Sequence, residues 1–336
     1  MISSISSSDC YRKKFLLFGI SSGIMIAFFG IVNCYLGLTI EKSVFQEKYK
    51  ESSFWQEKVK ADPRYAAVQL GDSRTYRGAN PEIISRILSL KCYNLGFSSG
   101  GLNEEIFRLA ETKLSPSAPK TVIILGISPL TLSEESRSNE HYRHILSQKE
   151  PAFEQKQILQ IFFTPMDKDR WSTIRKFINR KKQEKVRKAP ETFQGSGWTS
   201  SNRPFSQSGY DRGLEIYRIQ TQNYEFSPQS LAELIRYVKI WKKRGFFIFA
   251  YRPPTSKEME DIENTAYDEE RVKKAFSDAG GIYLEFPVNA YQTYDASHLT
   301  TESANLFSRD LSIKIQSFLT DKGTDKKTDS RIIPAR

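Results

Sequence analysis

Five short apolar runs, at residues 65–70, 91–95, 121–127, 246–251 and 282–286, recur along the chain with segments of helical period between them. Runs this short, bounded by turn residues, suit strands covered on both faces rather than buried helices. Strands that alternate with helices pair in parallel, because a crossover helix must return the chain to the starting edge of the sheet, and such crossovers are right-handed. The pattern predicts an α/β domain of three α/β/α layers around a mostly parallel five-stranded sheet.

The helices between the runs carry start and stop signals. Asn80 followed by Pro81 opens one, and residues 102–114 form another. Ser227 with Pro228 opens a third, with Leu231, Leu234, Ile235, Val238 and Trp241 on one face and Gly245 beyond its end. A fourth covers residues 269–279, closed by Gly280 and Gly281, and the last spans residues 301–319. The stretch from Ile127 to Phe246 is too long for one crossover, so an insertion at about 130–226 is expected to overhang the carboxyl ends of the strands. Within it, residues 190–213 are rich in Gly, Ser and Asn and read as a mobile or substrate-facing loop. Residues 63–320 form the domain, and the polar tail at 321–336 is expected to be disordered.

Residues 15–40 contain no charged side chain over 26 positions, enough to span a hydrocarbon core as a transmembrane helix. Arg12, Lys13 and Lys14 precede this run, which places residues 1–14 in the cytoplasm and everything after about residue 42 outside it. The expected location is a single-pass inner or cell membrane protein with an extracytoplasmic, periplasmic domain, joined through a juxtamembrane stalk at residues 41–62. Two alternatives stand beside the anchor. A cleaved signal peptide would normally have a shorter apolar core and an Ala-x-Ala site, and lipidation at Cys34 of "IVNC" would have Asn33 as a poor preceding residue.

The formal charge of +11 favours anionic surroundings. Residues 167–188 hold ten Lys/Arg against three acids, which fits a solvated basic helix or contact with an anionic membrane or acidic glycan. A domain outside the cell makes nucleic acid an unsuitable partner. Cys10, Cys34 and Cys92 have no paired spacing, which argues against a disulfide framework or thiolate metal site.

The chemistry concentrates at "VQLGDSRTYRGANP", where an apolar run ends in Gly71, Asp72 and Ser73. Ligands of parallel α/β sheets bind beyond the carboxyl ends of the strands, where Ser73 falls, but a serine nucleophile needs a base. Of the three histidines, His141 and His144 stand at i, i+3 in a charged segment with no carboxylate or Cys pattern to complete a metal site. His298 instead follows Asp295 by three residues in "YDASHLTTESANLF", so the carboxylate can take one imidazole N–H while the other nitrogen faces Ser73. No phosphate-binding glycine motif follows a strand, and neither metal nor cofactor is expected.

The Gly-Asp-Ser after the first strand, a Gly after the second, and Asp-x-x-His-Leu before the last helix together resemble the SGNH, or GDSL-type, hydrolase and acyltransferase superfamily. The resemblance implies a flavodoxin-like sheet, with Ser73 as nucleophile, His298 as general base and Asp295 as its orienting acid. It further implies an oxyanion hole from the N–H groups of Ser73 and Gly96. The third block departs from the pattern, because Ser128 stands where the family commonly has an oxyanion-donating Asn. Ser128 itself, Asn94, Ser98 and Arg74 are the candidate substitutes. Arg252, at the end of the fourth run, and Cys92 read as packing residues.

The anchor and long insertion resemble the membrane-anchored cell-envelope members, such as alginate O-acetylation proteins and the D-alanyl transfer protein of teichoic acid modification. That likeness implies an esterase or O-acyltransferase acting on acyl esters of an envelope glycan or polymer, beside a multispanning membrane-bound O-acyltransferase. The alternative is a catalytically silent scaffold that binds an anionic polymer or the membrane acyltransferase.

Overall fold

A computed structural model describes residues 51–148 and 191–324. Those at 53–148 and 191–324 belong to one compact unit. The uncharged run at 15–40, Cys34 and the basic run at 167–188 lie outside the described residues. No helix among the described residues is long and apolar enough to cross a membrane.

The strands are β1 (Ala67–Leu70), β2 (Cys92–Asn94), β3 (Val122–Gly126), β4 (Glu191–Phe193), β5 (Thr199–Ser201), β6 (Phe247–Tyr251) and β7 (Ile282–Leu284). Five of them form a sheet in the order β2-β1-β3-β6-β7, and every pairing in it is parallel. The register sets Val68 beside Tyr93 and Ile123, and Ile124 beside Phe249. The chain leaves β1 toward β2 on one side and returns to β3 on the other. The crevice where the strand order reverses therefore opens beyond the carboxyl ends of β1 and β3.

Helices α1 (Ser73–Gly78), α2 (Pro81–Leu88), α3 (Glu104–Lys113), α4 (Glu140–Ser147), α5 (Gln207–Gln222), α6 (Pro228–Lys243), α7 (Lys257–Asn264), α8 (Glu269–Asp278) and α9 (Thr301–Thr324) complete the architecture. Asn80, Asn103 and Ser227 accept backbone N–H groups at the starts of α2, α3 and α6, and Pro81 and Pro228 fit first-turn positions that need no N–H. Phe107, Leu234, Val238, Trp241 and Phe276 pack on one sheet face with Val68, Ile123 and Ile248. On the other face Ile84, Ala304, Phe307 and Leu311 pack with Ala67, Val122, Ile124 and Phe249. Each such large apolar side chain contributes about 1.5–3 kcal/mol by leaving water. A Trp241→Ala change, which removes a fully buried ring, would cost about 3–5 kcal/mol.

Three expectations change. The stalk expected at 41–62 is partly domain, because residues 53–59 are helical and Phe54, Trp55 and Lys58 are buried. The loop expected at 190–213 contains the antiparallel β4–β5 hairpin, whose Thr199, Ser200 and Ser201 are buried. Its turn lies against β2, where the Asn94 N–H donates to the Ser196 carbonyl at 3.0 Å. The same stretch enters α5, which Ser206 caps. Finally, α9 runs to Thr324, so the tail expected to be irregular from 321 begins as helix.

Candidate active site

Asp72 ends the loop after β1 and caps α1, its Oδ1 accepting the Arg74 N–H at 2.9 Å. Ser73 is thereby the first residue of a short helix rather than part of an open turn, and it stays partly exposed at the edge of the crevice. Its hydroxyl lies 2.9 Å from His298 Nε2.

His298 and Asp295 sit in the loop between β7 and α9, where Ala296 adopts a left-handed conformation at φ 66°. The turn folds the chain around the Asp295 carboxylate, so that Oδ1 accepts the N–H groups of Ser297 at 3.1 Å and His298 at 2.8 Å. Oδ2 lies 2.9 Å from His298 Nδ1. Burial pushes the Asp295 carboxyl upward, but the hydrogen bonds from the His298 ring and from the two backbone N–H groups outweigh it and hold the group below its usual range. An ionised Asp295 needs the proton on Nδ1, which leaves the Nε2 lone pair facing Ser73. The Tyr294 ring stacks on the imidazole at 5.8 Å and limits its tilt, and Arg77 donates to the Tyr294 hydroxyl at 2.7 Å.

The structure thus brings Ser73, His298 and Asp295 into one hydrogen-bonded line. It does not bring the proposed oxyanion donors to the same point. The Ser73 N–H has no acceptor among the described residues, as an oxyanion donor requires. The Gly96 N–H, however, donates to Asn94 Oδ1 at 2.9 Å. Gly96 has a different role: a Cβ there would meet the Tyr76 nitrogen at 2.8 Å, so only glycine lets the loop after β2 touch α1.

Asn94 is buried, and its Nδ2 donates to the carbonyls of Thr75 at 3.0 Å and Ala79 at 2.9 Å. It ties the end of α1 to β2 and has no donor to offer a substrate. Ser128 is also buried, and its hydroxyl donates to Asp72 Oδ2 at 2.7 Å. The residue at the altered third block therefore steadies the cap of α1, and its one hydroxyl proton is already engaged.

Of the remaining candidates, Ser98 has its backbone N–H engaged and Arg74 its guanidinium. The Ser98 N–H donates to His141 Nδ1 at 3.2 Å. The Arg74 guanidinium donates to Ser297 Oγ at 2.9 Å and Glu263 Oε1 at 2.6 Å. Arg252 pairs with Glu263 and Glu269 at the end of β6, in agreement with a packing role. Cys92 is buried under Gln69, which donates to its sulfur, and burial pushes its thiol up to about 12. His141 packs edge-on against Trp55, while the exposed His144 pairs with Gln148.

Sequence reasoning missed two buried charged residues, one cation and one anion. Lys58 is fully buried, donates to the Gly96 carbonyl at 2.7 Å and lies among the rings of Phe54, Trp55, Tyr76 and Phe97. Glu263 on α7 is buried between Arg74 and Arg252. The available signal was its place four residues after the buried Met259, on the inward stripe of that helix.

No family model and no curated protein matches this chain. Among solved structures it is similar to an active-site mutant of a family two carbohydrate esterase from Clostridium thermocellum, at 10% identity and a TM-score of 0.33, covering 77% of this chain and 65% of that one. It is similar also to an acetyl xylan esterase, Est2A, from the rumen bacterium Butyrivibrio proteoclasticus, at 9% identity and a TM-score of 0.33, covering 76% of this chain and 64% of that one. The chain spans just under two thirds of the length of each.

Proposed function

We propose that this chain is a serine esterase or O-acyltransferase of the SGNH type, acting on acyl esters of a cell-envelope glycan or polymer. Residues 15–40 would anchor it in the membrane with the domain outside the cytoplasm. The observation that carries the reading is the line from Ser73 Oγ through His298 to Asp295, with both linking contacts at 2.9 Å.

In the proposed reaction the Ser73 hydroxyl gives its proton to His298 Nε2 as Oγ attacks an acyl carbonyl. Asp295 keeps the imidazole oriented and balances the charge it gains. The Ser73 N–H supports the oxyanion of the tetrahedral intermediate. The imidazolium then returns its proton to the departing alcohol, leaving an ester on Ser73. Water or a glycan hydroxyl next gives a proton to His298 and attacks that ester, and the imidazolium returns the proton to the departing Ser73 Oγ as the acid or the transferred ester leaves. Transfer is preferred over hydrolysis because an anchored domain is suited to work beside a membrane-bound acyl donor, such as a multispanning O-acyltransferase.

The second reading, a silent scaffold, has one observation in its favour: Gly96, Asn94 and Ser128 direct their donors into the protein. The test is to treat the full chain, in detergent, with a fluorophosphonate probe beside Ser73→Ala and His298→Ala. Labelling of the wild type that both substitutions remove supports the enzyme. A folded wild type that takes no label supports the scaffold.

A further inference from the structure

Two consecutive residues of α1 meet two consecutive residues of the loop before α9. Ser73 meets His298, and Arg74 meets Ser297, each pair 2.9 Å apart. We propose that the Arg74–Ser297 contact is a second rung that holds the first in register, which makes Arg74, Glu263 and Ser297 positioning residues for Ser73 and His298. The proposal rests on the reading of Ser73 as a nucleophile.

The second rung is fixed from every side. Arg74 Nη2 donates to Glu263 Oε1 at 2.6 Å, while Glu263 Oε2 accepts from Arg252 at 2.9 Å. Glu263 is therefore pinned at both oxygens, and the guanidinium cannot rotate without leaving a buried carboxylate half-paired. The Ser297 N–H donates to Asp295 Oδ1, so Ser297 joins the same carboxylate that orients His298. Its hydroxyl donates to the Tyr217 hydroxyl at 2.8 Å, and the Tyr217 ring lies 4.8 Å from the Arg74 guanidinium.

Tyr217 belongs to α5, in the insertion, and the same helix approaches the loop a second time. A Cβ on Gly213 would come within 2.3 Å of the Asp295 carbonyl oxygen, so glycine is what lets α5 rest on the loop. Stability alone is a poor reason for this arrangement. A buried ion pair commonly stabilises no better than apolar residues of the same volume, and here Arg74 Nη1 remains buried with no hydrogen-bond partner. What the arrangement adds is register: α1 cannot slide past the loop without breaking both rungs together. Reacting groups displaced by about 1 Å can lose on the order of 10²-fold in rate.

The test is the rate of fluorophosphonate labelling of the full chain in Ser297→Ala, Ser297→Thr, Arg74→Lys and the Arg74→Lys/Ser297→Ala double variant, with thermal unfolding of each. The expected result is a labelling rate reduced by about 10- to 100-fold in Ser297→Ala. The unfolding temperature should change little, and Ser297→Thr should restore the rate by restoring the hydroxyl. The double variant should be no slower than its slower parent, because both changes break one rung. Ser297→Ala that folds and labels at the wild-type rate overturns the proposal and leaves the nucleophile reading intact. A folded wild type that does not label overturns both.

Discussion

On one side of Ser73 each polar atom meets the partner that proton transfer requires, whereas on the other, at the ends of β2 and β3, the groups expected to face an oxyanion are held by the protein itself. His298 and Asp295 reach Ser73 through a single tight loop. Gly96, Asn94 and Ser128 instead tie α1 to β2 and secure its cap. The difference follows from distance along the chain. Asp295 and His298 are three residues apart, so a local turn suffices to join them, while the expected oxyanion donors depend on where separate strands end, β2 for Asn94 and Gly96 and β3 for Ser128.

The largest effect should come from the acid–base side. Asp295→Asn would turn a carboxylate that accepts the Nδ1 proton into an amide that can favour the wrong tautomer, and, if the proposed function holds, a loss of about 10⁴-fold in turnover is expected, the size seen for this change in a serine triad. Loss of less than about tenfold would mean that Asp295 only shapes its loop. Fluorophosphonate inactivation rates measure the difference without knowledge of the natural acyl donor.

Asn94→Ala tests the opposite side. It removes the donor to two buried carbonyls and the acceptor of the Gly96 N–H, so unfolding in denaturant should show a loss of about 3 kcal/mol. If stability were unchanged while activity fell, Asn94 would be a substrate-facing group and the contrast between the two sides would collapse.

Ser128→Ala should do less. It removes the hydrogen bond to Asp72 and the one accepted from the Thr131 N–H, at a cost of about 1–2 kcal/mol, and should leave activity within about tenfold of wild type. An oxyanion donor would cost about 10²- to 10³-fold when removed. The size of the loss, compared with the stability change, separates the two roles.

The legible parts of the molecule were those with local or periodic signals. "TVIILG" reads as a strand because both faces of β3 are buried, and Asn80-Pro81 and Ser227-Pro228 mark helix starts because capping involves adjacent residues. Asp295 and His298 announced themselves by spacing. By contrast, α5 buries no residue completely, so it presents no apolar stripe and its sequence looks like loop. The β4–β5 strands are Thr- and Ser-rich and gain their burial from long-range packing. Nothing adjacent to Asn94 or Glu263 in the sequence discloses the carbonyls and guanidinium groups that complete them.

Acid should distinguish the two sides as well. Burial, then the charges of Lys58 and His144, lowers His141 from 6.5 to about 4, and its neutral Nδ1 accepts the Ser98 N–H in the loop after β2. Because this base is harder to protonate in the fold than in the unfolded chain, the unfolded chain binds more protons between those values, and stability must rise with pH across the interval. The contribution is fully present above about 6.5 and is lost as pH falls toward about 4. Asp295 behaves differently: its depressed carboxyl contributes above the ordinary value of 3.8 and loses that contribution only below it. Between pH 6.5 and 4, then, the His141 side should weaken while the Asp295 side holds. In His141→Gln the side-chain oxygen can still accept the Ser98 N–H but cannot titrate, so its unfolding temperature should fall less than that of the wild type over this window. Parallel curves for the two proteins would remove His141 as the source of the difference.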